Sequence, residues 1–116
     1  MQPFDPSTID EVIHGHTLQV LDVDGDGNLD IFTAEMVLWS GGNNPGAKAW
    51  ILYGDGKGNF EQEVINAATD IGKHESKFGD VNGDGRPDLV QNPFMKGIPR
   101  LDIWINQGNQ RQSDQL

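Results

Sequence analysis

The stretch His16–Ile31 aligns without gaps on His74–Leu89, and Asp22 and Asp80 lie 58 residues apart, as do His16 and His74. A repeat of this length constrains the fold more than any single residue can. Each copy must be one supersecondary unit, and its neighbour must cover its apolar face. Further on, Ala49-Trp50-Ile51-Leu52-Tyr53 matches Leu101-Asp102-Ile103-Trp104-Ile105 at a spacing of 52, so the second unit is shorter in between. Each unit reads strand, acidic loop, strand, turn, strand. Fifteen glycines and six prolines interrupt the chain every few residues and leave no room for long helices. Strands are expected near Thr8–Ile13, Thr17–Leu21, Leu29–Met36, Ala49–Tyr53, Gln62–Ile65, Ser76–Gly79, Asp88–Gln91 and Leu101–Ile105. The 116 residues fit one domain, with unit one over 14–66, unit two over 72–108 and a polar tail over 109–116. Thr8–Ile13 is read as the closing strand of a preceding unit, and the second unit has no closing strand of its own after Ile105.

The acidic loops carry the chemistry. With Asp22 as position 1, oxygen-bearing residues fall at positions 1, 3, 5, 7 and 9: Asp22, Asp24, Asp26, Asn28 and Asp30. The second loop supplies Asp80, Asn82, Asp84, Arg86 and Asp88 in the same register. Alternate residues of a tight loop can turn carboxylates inward onto a hard cation that takes six to eight oxygens. The residue at position 7 (Asn28 or Arg86) adds its backbone carbonyl, and the glycine at position 6 permits the turn. Turns favour Asp and Gly for backbone reasons alone, but turn chemistry does not ask for an oxygen ligand at every odd position, twice over.

Charge agrees. Eighteen acidic residues against eight basic ones give −10, much of it in these two loops. Two divalent ions would bring the formal charge to −6. Nucleic acid and anionic membrane both need a basic surface and are poor partners for this chain. No apolar run approaches the about 20 residues of a membrane helix. Met1-Gln2-Pro3-Phe4-Asp5-Pro6 has neither the basic start nor the apolar core of a signal peptide. The absence of cysteine excludes disulfides, thiolate zinc sites and cysteine nucleophiles.

An EF-hand needs a Glu at loop position 12 and flanking helices; position 12 is Thr33 in one loop and Gln91 in the other, and the flanks are strand-like. The segments 16–31, Phe78-Gly79-Asp80-Val81-Asn82-Gly83-Asp84-Gly85-Arg86-Pro87-Asp88-Leu89-Val90 and Asp102-Ile103-Trp104-Ile105-Asn106-Gln107-Gly108 instead resemble the FG-GAP/VCBS repeat family. That resemblance implies an all-β fold of β-propeller blades. Here it means about two four-stranded antiparallel blades, completed by oligomerisation or by further repeats. It also implies two Ca²⁺ sites with the ligands named above, and an extracellular binding or adhesion role with a carbohydrate or protein ligand. Pro87 departs from the pattern, standing where a strand residue would begin pairing.

The three histidines fall at one place in the repeat: His16 and His74 are equivalent, and His14 shares a strand face with His16. They read either as a Cu²⁺ or Zn²⁺ site assisted by Glu75, or as hydrogen-bonding residues between blades. Trp50 and Trp104 lie within strands and are expected to pack, whereas Trp39 at a strand-to-loop edge is the candidate for stacking on a sugar. No nucleophile–base pair, phosphate loop or dinucleotide fingerprint is present. The favoured reading is therefore a calcium-stabilised binding module without catalytic residues. Two alternatives stay open: a histidine-metal, carbohydrate-active enzyme domain, and a structural propeller unit without ligand. The strand order also suggests that copies join head to tail in a ring, with Thr8–Ile13 of one completing the second unit of the next.

Overall fold

The computed structural model describes residue 4 and residues 7–12, 15–35, 48–65, 73–93 and 101–108; for His16, Lys73, His74, Glu75 and Pro93 it describes the backbone only. Among the described residues there is no helix. Seven strands form two antiparallel meanders. The first holds β1 (Gly15–Leu21), β2 (Asp30–Glu35), β3 (Ala49–Gly54) and β4 (Phe60–Val64), in that order across the sheet. The second holds β5 (Lys73–Gly79), β6 (Asp88–Pro93) and β7 (Asp102–Trp104). These are two β-propeller blades, the second with three strands among the described residues.

The central strands explain themselves. Strands β2 and β3 are buried almost throughout; β3 reads as a near-continuous apolar run, whereas β2 also buries Asp30, Thr33 and Glu35. β4 is exposed along most of its length and carries Glu61, Gln62 and Glu63. Between β3 and β4 the chain reverses over Asp55–Asn59. Asp55 accepts from the Lys57 and Asn59 amides at 2.7 and 3.2 Å and from Asn59 Nδ2 at 2.7 Å. Gly56 and Gly58 sit at φ of 81° and 94°, which only glycine adopts cheaply.

The two blades pack face to face. Phe32, Ala34, Ala49 and Ile51 of the first meet Leu89 and Phe78 of the second, and the Phe32 and Phe78 rings meet edge-on with centroids 5.1 Å apart. Strands β1 and β5 lie side by side. Thr17 Oγ1 donates to the Ser76 carbonyl at 3.2 Å, and the Phe78 amide donates to Gln19 Oε1 at 3.1 Å. The register slips once in each blade, between Gly15 and Thr17 and between Lys73 and Glu75. The extra residue is His16 in one blade and His74 in the other, so the repeat extends to its β-bulges.

One expected strand is missing. Ser7–Val12 forms no strand, and Ile13 lies outside the described residues. Its apolar residues, Ile9 and Val12, are three apart and do not follow a strand's period of two. The segment is instead held by a side chain: Asp10 Oδ2 accepts from Trp50 Nε1 at 2.7 Å and from Gln62 Nε2 at 3.1 Å. Head-to-tail joining by exchange of that strand therefore loses its basis. Pro87 precedes β6 and costs the ladder no donor.

Candidate metal centres

Each acidic loop links the first two strands of its blade, and each winds around its own first aspartate. In the loop after β1, Asp22 accepts from the Gly25 and Gly27 amides, both at 2.9 Å. In the loop after β5, Asp80 accepts from Gly83 at 2.8 Å, Asp84 at 3.1 Å and Gly85 at 2.7 Å. Gly25, Gly27, Gly83 and Gly85 all have positive φ, so the loop paths match as the sequence register does.

The ninth position is the buried anchor. Asp30 is inaccessible to solvent; its Oδ2 accepts from the Val23 amide at 2.8 Å and its Oδ1 from the Gly54 amide at 2.9 Å. Asp88 does the same in the second blade, accepting from Val81 at 3.0 Å and Asn106 at 2.8 Å. A carboxylate costs several kcal/mol to bury unless compensated. Two amide donors compensate part of that cost, and a cation facing the remaining lone pairs would compensate more.

Three carboxylates converge in each loop. One oxygen each from Asp22, Asp24 and Asp30 lies within 4.8 Å of the others, and the same holds for Asp80, Asp84 and Asp88. Ligands around Ca²⁺ at 2.3–2.6 Å can stand no more than about 5 Å apart, so both triads fit one ion. Electrostatics shows the crowding: burial, and then the charge of Asp30, push the Asp24 carboxyl up to about 6. Asp80 is shifted the other way, below the usual carboxylate range, chiefly by the Gly85 amide. All-oxygen donors with a glycine-permitted turn suit a hard divalent cation.

The remaining predicted ligands are distributed unevenly. Asp26 stands outside the first triad, exposed, with its carboxyl lowered chiefly by the Asn28 amide it accepts at 2.9 Å. In the second loop Asn82 replaces a carboxylate at position 3, and Asp84 completes the triad. Arg86 donates its amide to Asp84 Oδ1 at 3.0 Å and pairs through Nη2 with Asp84 Oδ2 at 3.0 Å. The second loop thus carries less negative charge than the first.

Asn106 was not among the expected site residues, yet it ties both loops together. Its amide holds Asp88, while its Nδ2 donates to the Val23 carbonyl at 3.1 Å and the Pro87 carbonyl at 3.0 Å. Its counterpart in the first blade is Gly54, where a side chain would run into the Leu29 carbonyl. Leu29 and Pro87 are themselves repeat equivalents, so one carbonyl crowds a glycine in one blade and receives an asparagine in the other. The spacing of 52 sets Asn106 opposite Gly54 and Gly108 opposite Gly56, but only the glycines are identical, so the sequence alone does not single Asn106 out.

His14 and Trp39 lie outside the described residues, as do the side chains of His16 and His74. Trp50 is fully buried, with Lys48 Nζ 4.8 Å from its ring centroid. Trp104, expected to pack, is partly exposed and lines a cleft of about 270 Å³ between the blades. Tyr53, Ile51, Ile65 and Phe78 line the same cleft, with Asp24, Glu63 and Gln107 at hand.

Residues 22–90 match the family described as FG-GAP-like repeat, a span that covers both acidic loops. No curated protein and no solved structure matches the chain.

Proposed function

The chain belongs to the FG-GAP-like repeat family, and from that premise we propose that it is a β-propeller-type binding module whose two acidic loops hold Ca²⁺ and whose ligand is a carbohydrate. The observation that carries the calcium reading is the pair of carboxylate triads at repeat-equivalent positions, each closed by a buried aspartate. A bound Ca²⁺ supplies positive charge where the chain has concentrated negative charge. The chain's own part is to orient the carboxylates through the loop amides and to fasten each loop to its blade through Asp30 or Asp88. The setting goes with the family reading and is extracellular, where millimolar calcium fills even a weak loop of this type.

The carbohydrate reading rests on the cleft between the blades. Trp104 and Tyr53 offer aromatic surface, and Asp24, Glu63 and Gln107 offer hydrogen-bonding groups at its rim. An amphipathic ring that stacks on one face and hydrogen-bonds at its edge matches that lining. The test is a glycan-array screen of the calcium-loaded chain with Trp104→Ala beside it. A specific glycan signal lost in the variant, with melting temperature unchanged, supports the reading. An array with no signal above background contradicts it.

A further inference from the structure

The two acidic loops follow the same path but differ in chemistry at position 3. The first places Asp24 there, inside its carboxylate triad; the second places Asn82, outside its own. Gly83 follows Asn82, and of the nine asparagines in the chain this is the one that precedes a glycine. Asparagine is a chemically labile residue, and glycine puts no side chain beside the backbone nitrogen that attacks it.

Three observations put Asn82 where that reaction can run. It is exposed. Among the described residues no hydrogen bond holds its side chain, whereas Asp80 and Asp84, two residues to either side, each accept from loop amides. The space around Gly83 is open, with nothing within 4 Å of where a Cβ would stand. One restraint opposes the reaction. The Gly83 amide donates to Asp80 Oδ1 at 2.8 Å, so the loop must loosen before that nitrogen can turn on the Asn82 side chain.

We infer that Asn82 is a self-modification site guarded by calcium: in the empty second loop its side chain closes on the Gly83 nitrogen, and in the loaded loop it does not. The inference rests on the calcium reading above. The bond from Gly83 N to Asn82 Cγ forms and the Cγ–Nδ2 bond breaks; the amide proton of Gly83 leaves with the side-chain nitrogen as ammonia. Water then opens the succinimide at either carbonyl. One opening leaves an aspartyl residue. The other, the usual major product, leaves an isoaspartyl residue and adds a methylene to the backbone between positions 3 and 4. That insertion displaces the Gly83, Asp84 and Gly85 amides from Asp80, and the second loop loses its ion. The first loop has a carboxylate at position 3 and no side-chain amide there to lose. With the ion bound, Asp80 stays on the Gly83 amide and Asn82 serves as the ligand expected at position 3, so neither reacting group is free.

The experiment ages the full chain at mildly alkaline pH in chelator and in calcium, then assays the peptide carrying Asn82 for mass gain and isoaspartate. The mass gain sets the reaction apart from isomerisation at the chain's Asp-Gly pairs, which leaves the mass unchanged. Calorimetry on fresh chain reports whether the second loop takes calcium, and urea-unfolded chain gives the unrestrained rate, which calcium should not alter. The expected result is conversion of Asn82 in chelator, slowed about a hundredfold with calcium at a hundred times its dissociation constant, because about one loop in a hundred is then empty. Calcium uptake by the second loop should fall in proportion to the isoaspartate formed. An Asn82 that stays intact in chelator but converts in urea overturns the inference, and so does full calcium uptake by converted chain. Equal rates in chelator and calcium overturn it as well: with the second loop shown to be loaded, the guard alone fails, and with no calcium heat, the calcium reading fails too.

Discussion

Asp30→Ala isolates what the buried ninth position contributes. In the native chain Asp30 accepts from the Val23 and Gly54 amides, and it has no exposure to solvent. The substitution leaves two buried N–H groups without an acceptor. Each unsatisfied donor costs about 1–3 kcal/mol, so the loss is about 2–6 kcal/mol. A domain of this size has only about 5–15 kcal/mol to lose. Asp30→Asn separates hydrogen bonding from charge. It keeps one acceptor oxygen, so it should cost about half as much in chelator, and it removes the charge that helps hold the Asp24 carboxyl near 6. Asp26→Ala is the control. Asp26 is exposed and accepts from Asn28 across the loop, so its loss in chelator should be no larger than that of an ordinary surface substitution. The assay is urea unfolding of all three in chelator, followed by repetition in calcium. A cost for Asp30→Ala within about 0.5 kcal/mol of zero in chelator, the range of ordinary surface substitutions, would refute the reasoning.

Asn106→Ala should cost about 1–3 kcal/mol, because the Val23 and Pro87 carbonyls both lose their donor. It should also weaken calcium uptake at both loops, measured by titration calorimetry, although Asn106 belongs to neither triad; weakening at one loop alone would contradict its bridging role. Asp55 gives a pH signature. Its carboxyl is lowered, chiefly by the Asn59 side-chain amide and then by the Lys57 backbone. A depressed folded-state value contributes stability that is present above the ordinary carboxylate value of about 4 and is lost as pH falls below it. Asp55→Asn should therefore be less stable than wild type at pH 7 and converge on it in acid. A difference that grows as the pH falls would have the wrong sign.

Much of the fold was legible because the repeat is explicit. The offsets place β1 against β5, β2 against β6 and β3 against β7, and alternation fixes which residues share a face. The acidic loops were legible for the same reason: a tight turn with oxygen ligands at odd positions is local chemistry. Three features were not readable in this way. The strand expected at Thr8–Ile13 rested on composition without alternation, and a side-chain anchor at Asp10 replaced it. The separation of Asp26 from the first triad depends on the loop path in three dimensions, since spacing alone treats Asp24 and Asp26 alike. Asn106 lies 83 residues from the Val23 carbonyl it reaches, and no local pattern connects them. Trp104 and Trp50 also divided differently than expected. Register puts Trp104 opposite Leu89, beside the open cleft, and Asp10 and Lys48 close over Trp50.

The central claim is that both loops hold calcium, and direct titration of the metal-stripped chain tests it. Calorimetry should give two equivalents of Ca²⁺, one lost in Asp22→Ala and the other in Asp80→Ala. The melting temperature should rise with calcium, since each site adds about 2.7 kcal/mol when the ion is at a hundred times its dissociation constant. The first loop should be the tighter, because Arg86 offsets part of the charge in the second. An absence of heat at millimolar calcium, together with a melting temperature unchanged between calcium and chelator, would contradict the account.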